Sequence, residues 1–359
     1  MIRQARYETM IGTGGIGSGV FFRLEGNATL GREESRAGCI LDQRDYCKLH
    51  IVSHYVAALM GSTFSVIPVG RVGLDDAGER LLTEMGEVGL DLRYVRRTPE
   101  RPTMYAICLV YPDGSGCNLT TADSASSRVD AGLVGESAAE FARFEGHGVC
   151  AALPEVPLGA RRALLRLGTR HGFLRVASFS SGELRELRRT GRLDQDREDK
   201  GWLELIDLLA LNIDEAAALT GLEADQADSR EIVDAMVSML GERGQPVMAT
   251  ITAGARGSWA FDGAESRRLP AISAPMISTA GAGDAHLAGI IAGLAAGLTL
   301  FESHELARLV ATMSITSPHT IHREINPVTL QTFARDLGIE PPPPVVVFLA
   351  DRAGSGRFN

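Results

Sequence analysis

Thr279-Ala280-Gly281-Ala282-Gly283-Asp284, running straight into the small-residue stretch Ala285 to Leu298, is the segment that decides how this chain reads. Four small residues ahead of a carboxylate, opening into a helix, leave several backbone N–H groups without intrahelical partners and aim them at a point where negative charge can sit. The carboxylate beside that anion hole supplies a base. Attack of a hydroxyl on a phosphoryl group needs both parts: donors for the charge on the transferred group and an acceptor for the hydroxyl proton. The stretch therefore reads as a phosphoryl-transfer site built from Gly281, Ala282, Gly283 and Asp284. In isolation it reads better as a tight turn before a closely packed buried helix, because short glycine motifs recur by chance. Its company elsewhere in the chain changes that balance.

The 359 residues, 45% of them apolar, suffice for one large α/β domain or for one domain with an appendage. A net charge of −9 disfavours nucleic acid and anionic membrane as partners, both of which are held by basic surfaces. A small molecule is the expected partner. The cysteines Cys39, Cys47, Cys108, Cys117 and Cys150 are odd in number and include no Cys-x-x-Cys pair, which argues against a disulfide framework or a zinc site. The first residues carry no apolar core with a cleavage site, and the apolar segment Leu287 to Phe301 is short and rich in Gly and Ala. It reads as a buried helix, and a cytoplasmic location is expected.

Apolar runs with strand character alternate with helical patterns: Phe64 to Val69, then Asp76 to Val88; Gly148 to Leu153, then Leu158 to His171; Leu174 to Phe179; Leu208 to Leu211, then Glu215 to Thr220; Val247 to Thr252; and the helix from Gly283. This predicts a mostly parallel sheet with helices on both faces. Gly19 to Arg36 and Met104 to Thr121 read instead as strands with polar turns, the second carrying Tyr111-Pro112-Asp113-Gly114. Paired, they would make a small β lid over the substrate, from about 13–40 and 101–122. The charge-dense run Arg185 to Lys200 reads as a solvated surface. Asn326-Pro327 caps a last helix to about Leu337, closing a main domain of residues 1–337. In 338–359, Pro341 to Pro344 read as a stiff spacer and Val345 to Ala350 as an edge strand or a segment packed on a neighbouring subunit.

Two further motifs accompany the glycine turn. Thr252-Ala253-Gly254-Ala255-Arg256-Gly257 lies at a strand's carboxyl end, where glycines let phosphates approach the backbone. Asn212-Ile213-Asp214-Glu215 ends the preceding strand, and Asn212 and Glu215 could face one metal-bound water or phosphate. On their own they read as a helix cap with its third-position acid. In this order, and with Val69-Gly70-Arg71-Val72-Gly73-Leu74-Asp75-Asp76-Ala77-Gly78 before them, these pieces resemble the ribokinase-like, or PfkB-type, carbohydrate kinases over about residues 8 to 337. The resemblance implies a three-layer α/β/α domain with a small β lid, using ATP and Mg²⁺ to phosphorylate a hydroxyl of a small sugar or sugar derivative. It implies Asp284 as general base and the Gly281, Ala282, Gly283 and Asp284 amides as anion hole. It places Asn212 and Glu215 near Mg²⁺ and the phosphates through water, Thr252, Gly254 and Gly257 along ATP, and 311–318 near the adenine. Lid strands paired between subunits would give a homodimer.

The chain departs from that family in three places. Ser278 stands where the family commonly has an Asp that helps hold a monovalent cation, so cation activation is doubtful. Cys47-Lys48 and Val52 stand where a Gly-Gly hinge and an Asn usually grip the acceptor. The Asp expected after the first strand is replaced within Gly12 to Gly19. Arg44 and Lys48 could instead bind an acceptor phosphate or carboxylate, or simply make surface ion pairs. Gly15 and Gly17 read as a turn near the acceptor or the lid hinge. His50 and His54, four apart on a helix, have metal-ligand spacing but no third ligand. Gly12-x-Gly14-x-x-Gly17 fits a dinucleotide fingerprint, yet Val20 to Leu24 reads as a strand where a helix is needed. A nucleoside kinase of the same fold and a non-catalytic sugar- or nucleotide-binding regulator are the remaining alternatives.

Overall fold

A computed structural model describes residues 6–112, 116–196, 199–242 and 247–355. The first part contains β1 (Thr9–Thr13), β2 (Gly17–Leu24), β3 (Gly38–Tyr46), α1 (Lys48–Met60), β4 (Ser65–Gly73), α2 (Asp76–Glu87), β5 (Tyr94–Thr98), β6 (Met104–Val110) and β7 (Gly116–Thr120). The middle contains α3 (Ala131–Glu136), α4 (Ala138–Arg143), β8 (Gly148–Ala152), α5 (Leu158–Arg170), β9 (Leu174–Ala177), α6 (Ser181–Arg189), β10 (Gln195–Asp196), β11 (Asp199–Lys200), β12 (Leu208–Asn212), α7 (Ile213–Thr220) and α8 (Ser229–Gly241). The last part contains β13 (Met248–Thr252), β14 (Ser258–Phe261), β15 (Ser266–Leu269), α9 (Ala282–Ala295), α10 (Leu300–Ser314), α11 (Pro327–Asp336) and α12 (Pro343–Ser355).

The main sheet runs β15-β14-β13-β12-β9-β8-β1-β4-β5, parallel from β13 to β5 and antiparallel at β14 and β15. Its strands read as unbroken apolar runs because both faces are covered. Along β12, Leu208 and Ala210 join the core under α1, α2 and α9 to α12, whereas Leu209 and Leu211 join the core under α3 to α8. In β8, Val149 and Ala151 alternate in the same way with Cys150 and Ala152. The small residues of α9 let α10 approach closely: a Cβ on Gly289 would lie 2.5 Å from Ala307 Cα.

The second sheet, β3-β2-β6-β7, joins the two segments that read as lid strands. Of the predicted turn at Tyr111 to Gly114, residues 113 and 114 lie outside the described residues. The 69–78 motif braces this sheet to the main one. Asp75 caps α2 by accepting from the Gly78 amide at 2.8 Å, and its other oxygen accepts from the Thr103 amide, just before β6, at 2.7 Å.

The expectation for the tail changes. Residues 343–355 form α12, neither a polyproline spacer nor an edge strand. Val345, Phe348 and Leu349, spaced i, i+3, i+4, are all buried in the chain's own core. Proline is tolerated in a helix's first turn, where its missing N–H is not needed, so the prolines start this helix. His50 and His54 are buried packing residues, His54 held down to about 4 by burial. No group of three potential metal-ligating side chains occurs among the described residues, and no helix among them is long and apolar enough to cross a membrane. In the charged run, α6 keeps Leu184 and Leu187 buried and leaves its arginines outward.

Candidate active site

Asn212 and Thr252 end neighbouring parallel strands and pair in register, at the sheet edge where phosphate sites form. Asn212 is locally a helix cap: its Oδ1 accepts from the Glu215 amide and the Glu215 carboxylate accepts from the Asn212 amide, both at 2.8 Å. The α9 N-terminus lies alongside, since a Cβ on Gly283 would come 3.7 Å from Thr252 Oγ1. Gly254 is exposed on its turn, whereas Gly257 is buried under Leu269, in a left-handed conformation (φ 91°) that a side chain would strain.

The glycine turn differs in one detail from a uniform anion hole. The Ala282 amide donates to the Thr279 carbonyl at 3.2 Å, whereas the Gly281, Gly283 and Asp284 amides have no protein acceptor among the described residues. Ser278 uses its hydroxyl to accept from the Ala280 amide at 3.3 Å, and its own amide donates to the Ile315 carbonyl. That bond ties the turn to the 311–318 segment. Gly281 (φ 79°) admits no Cβ, which would lie 2.7 Å from the Thr320 carbonyl.

Lys48, the first residue of α1, crosses to this turn, with Nζ 3.4 Å from Asp284 Oδ1. Its amide donates to the Glu155 carboxylate at 3.2 Å. Arg44 does not join it. Strand alternation sends Arg44 to the outer side of β3, where it pairs with Glu84 of α2 at 2.7 Å. The inward residue is its neighbour Asp45, 6% exposed. Gly15 and Gly17 are close-packing glycines. A Cβ on Gly15 would overlap the Glu155 carboxylate, and one on Gly17 would meet Met104 and Cys47. Strand β2 follows β1 where a dinucleotide fold needs a helix, which removes that reading.

Asp284, Glu215 and Glu155 thus gather around one ammonium, with Asp45 outside that set. Burial raises Asp284, and Lys48 opposes it; Glu215 behaves in the same way. Burial lifts Glu155 to about 7 against the Lys48 amide and charge, and lifts Asp45 to about 6. For Lys48, burial works against the charge, but Asp284, Glu215 and Glu155 outweigh it and raise the ammonium. Glu155 is also left-handed (φ 73°), an uncommon backbone for a residue of its size and one that concentrates at functional sites. Sequence reasoning passed over Glu155 and did not select Asp45. The available signals were a carboxylate just past the central strand β8 and the inward register next to Arg44. A cavity of about 500 Å³ lined by Asp228, Arg256, Trp259 and Arg268 opens beside α8 and includes none of these residues.

Residues 53–326 match the pfkB family carbohydrate kinases. The chain is 34% identical over 97 residues to the uncharacterized sugar kinase YegV of Escherichia coli K12, a match spanning 26% of this chain and 30% of that protein. It is 24% identical over 262 residues to the ribokinase of Haemophilus influenzae, covering 72% of this chain and 78% of the relative. The fold is similar to that of Cryptococcus neoformans ribokinase in complex with ADP, with a TM-score of 0.73 at 18% identity over 91% of this chain and 99% of that one. With a ribokinase-like α/β fold, a smaller second sheet and a match over most of its length, the chain belongs to the pfkB family of carbohydrate kinases, phosphotransferases whose acceptor is a hydroxyl group.

Proposed function

We propose that this protein transfers the γ-phosphoryl group of ATP to a hydroxyl of a small sugar or sugar derivative, with Asp284 as general base. The observation that carries this reading is the meeting of the Asp284 carboxylate, the Lys48 ammonium and the unpaired Gly283 and Asp284 amides at the head of α9. The acceptor O–H gives its proton to Asp284 as its oxygen bonds to the γ-phosphorus. The bond from that phosphorus to the β-γ bridging oxygen breaks, and ADP leaves. The free amides face the charge on the transferred oxygens, and Lys48 first holds Asp284 ionised and then turns to the incoming phosphoryl group. Thr252 and the exposed Gly254 turn line the phosphates, while Gly257 shapes that turn from beneath.

Glu215 fits a water-mediated role with Mg²⁺, because one carboxylate oxygen caps α7 and the other is left for a metal-bound water. Such an ion would neutralise charge on the phosphates. The second sheet acts as a lid that excludes water, and its outer face, with Ile40 70% and Leu119 57% exposed, supports a homodimer through the lids. A reaction that consumes ATP fits a cytoplasmic site of action.

The test is ATP consumption with Mg²⁺ against a panel of sugars, sugar acids, sugar phosphates and nucleosides. Asp284→Asn is expected to lower kcat by roughly 10²–10⁴-fold while ADP binding, read by calorimetry, stays within a few-fold. Unchanged turnover in that variant removes Asp284 as the base.

A further inference from the structure

The cleft between α1, the lid and the head of α9 is poor in positive charge. Arg44 is committed to Glu84 on the outer side of β3, a carboxylate that also receives Arg323 at 3.1 Å. Lys48 is the cation that acts on Asp284, Glu215 and Glu155, and no cation acts on Asp45 among the described residues. A phosphate or carboxylate carried by the acceptor would enter beside three carboxyls whose countercharge is already engaged by Asp284.

Asp45 is also short of partners. A carboxyl this deeply covered normally takes several strong donors or a paired cation. Here the nearest side-chain donor is the Cys108 thiol, a weak one, and the Tyr46 amide is already given to Thr320 Oγ1 at 3.0 Å. The lid's inner face makes room for it. Gly19 lies opposite Asp45 on one side and opposite Ala106 on the other, and a Cβ on Gly19 would sit 2.8 Å from Asp45 Oδ2. The result is a carboxyl over a floor of two small residues, carried on the strand that leads directly into Lys48. Hydroxyl groups are the donors such a carboxyl lacks.

We propose that the acceptor is an uncharged polyhydroxy compound and that Asp45, carried by lid strand β3, is the specificity-determining residue that binds its hydroxyls and rejects phosphorylated or carboxylated acceptors. This rests on the kinase reading above. It reverses the sequence expectation that Arg44 and Lys48 together receive an anionic acceptor.

The experiment uses the full chain with Mg²⁺ and ATP and pairs each neutral acceptor with its anionic counterpart: ribose with ribose 5-phosphate, fructose with fructose 6-phosphate, and glucose with gluconate. Neutral members are expected to exceed their partners in kcat/KM by about 100-fold or more. Asp45→Asn, which keeps the side-chain shape, is expected to raise KM for the neutral acceptor about tenfold with kcat within about threefold, and to narrow the discrimination. Asp45→Ala, checked for an unchanged melting profile, should do the same. Preference for an anionic member, or unchanged KM and discrimination in both variants, overturns the inference. Calorimetric binding of the same pairs reads the preference without turnover. Neutral members that bind but are never phosphorylated keep the inference and remove the kinase reading, whereas binding of anionic members, or of none, overturns the inference itself.

Discussion

The two halves of the cleft are built in different ways. On the phosphate side, Asn212, Thr252, Gly254 and Gly283 come from two adjacent strand ends and one helix start, and each is fixed by its immediate neighbours through a capping box, a short turn or a glycine cap. On the acceptor side, Asp45, Lys48, Glu155 and Asp284 come from a lid strand, the start of α1, the end of β8 and the start of α9. Their properties belong to the group: burial raises all three carboxyls, and the one Lys48 ammonium acts on Asp284 and Glu155. Phosphate recognition can be made from backbone amides and local turns. Acceptor recognition needs side chains that only the tertiary fold assembles.

The largest expected effect tests that shared ammonium. Lys48→Met should lower kcat/KM by roughly 100-fold, as expected for loss of a charged partner worth about 3 kcal/mol in a covered site. The sign on pH is fixed. Lys48 opposes the upward shift that burial imposes on Asp284, so without it the carboxyl rises further and the acid limb of kcat/KM moves to higher pH. Lys48→Arg should restore part of both. A limb that stays in place separates Lys48 from Asp284 and breaks the contrast between the two sides.

Next comes Gly281, on the phosphate side. Its left-handed backbone and the nearby Thr320 carbonyl leave no room for a methyl group, so Gly281→Ala should destabilise the fold by about 2 kcal/mol and lower kcat. Thr320 also donates its amide to the Arg44 carbonyl and accepts from the Tyr46 amide at 3.0 Å. The same change should therefore raise the acceptor KM, through the end of the lid strand. A melting-point drop with an unchanged acceptor KM denies that link.

Smaller still is Asn212→Ala. Loss of a helix cap costs about 1 kcal/mol, measurable as a lower melting temperature. If Asn212 also orders water on the phosphates, the KM for ATP rises several-fold as well. Stability loss alone leaves Asn212 as a cap, the bland reading that its hydrogen bonds already satisfy.

Legibility in the sequence follows the same division. The parallel sheet was readable because two-sided burial turns each strand into an apolar run, and the phosphate turns were readable because cap and glycine chemistry is local. Glu155 was not, because nothing near Leu153-Pro154-Glu155 announces that β8 lies beside β1 or that Gly15 leaves space for its carboxylate. Asp45 was hidden by its neighbour: the eye goes to Arg44 and Lys48, and only the register of β3 decides which side chain turns inward. The α12 tail was misread for a different reason. Valine runs favour strands, but the burial of Val345, Phe348 and Leu349 follows the helical period.

The smallest effect concerns stability and pH. Glu155 has its folded carboxyl raised by burial to about 7, above the ordinary 4.5, so across that window the native state holds a proton that the unfolded chain has released. Its contribution to stability is then fully present below about 4.5 and is lost as pH rises through about 7, with a slope of at most about 1.4 kcal/mol per pH unit. Asp45, raised to about 6, adds a slope of the same sign over a lower window. Surface carboxyls such as Glu34, which a Gly31 amide and Arg36 hold low, act in the opposite sense, so the total profile is uninformative and the difference between variants is what matters. Glu155→Gln removes one titration and keeps an oxygen for the Lys48 amide. The melting temperature of the variant minus that of the wild type should be near constant between pH 4 and 5 and climb from pH 5 to 8. A flat difference would mean that Glu155 titrates as an ordinary surface acid. The acceptor side would then lack one of its shared charges, and Lys48 would be left to Asp284 and Glu215.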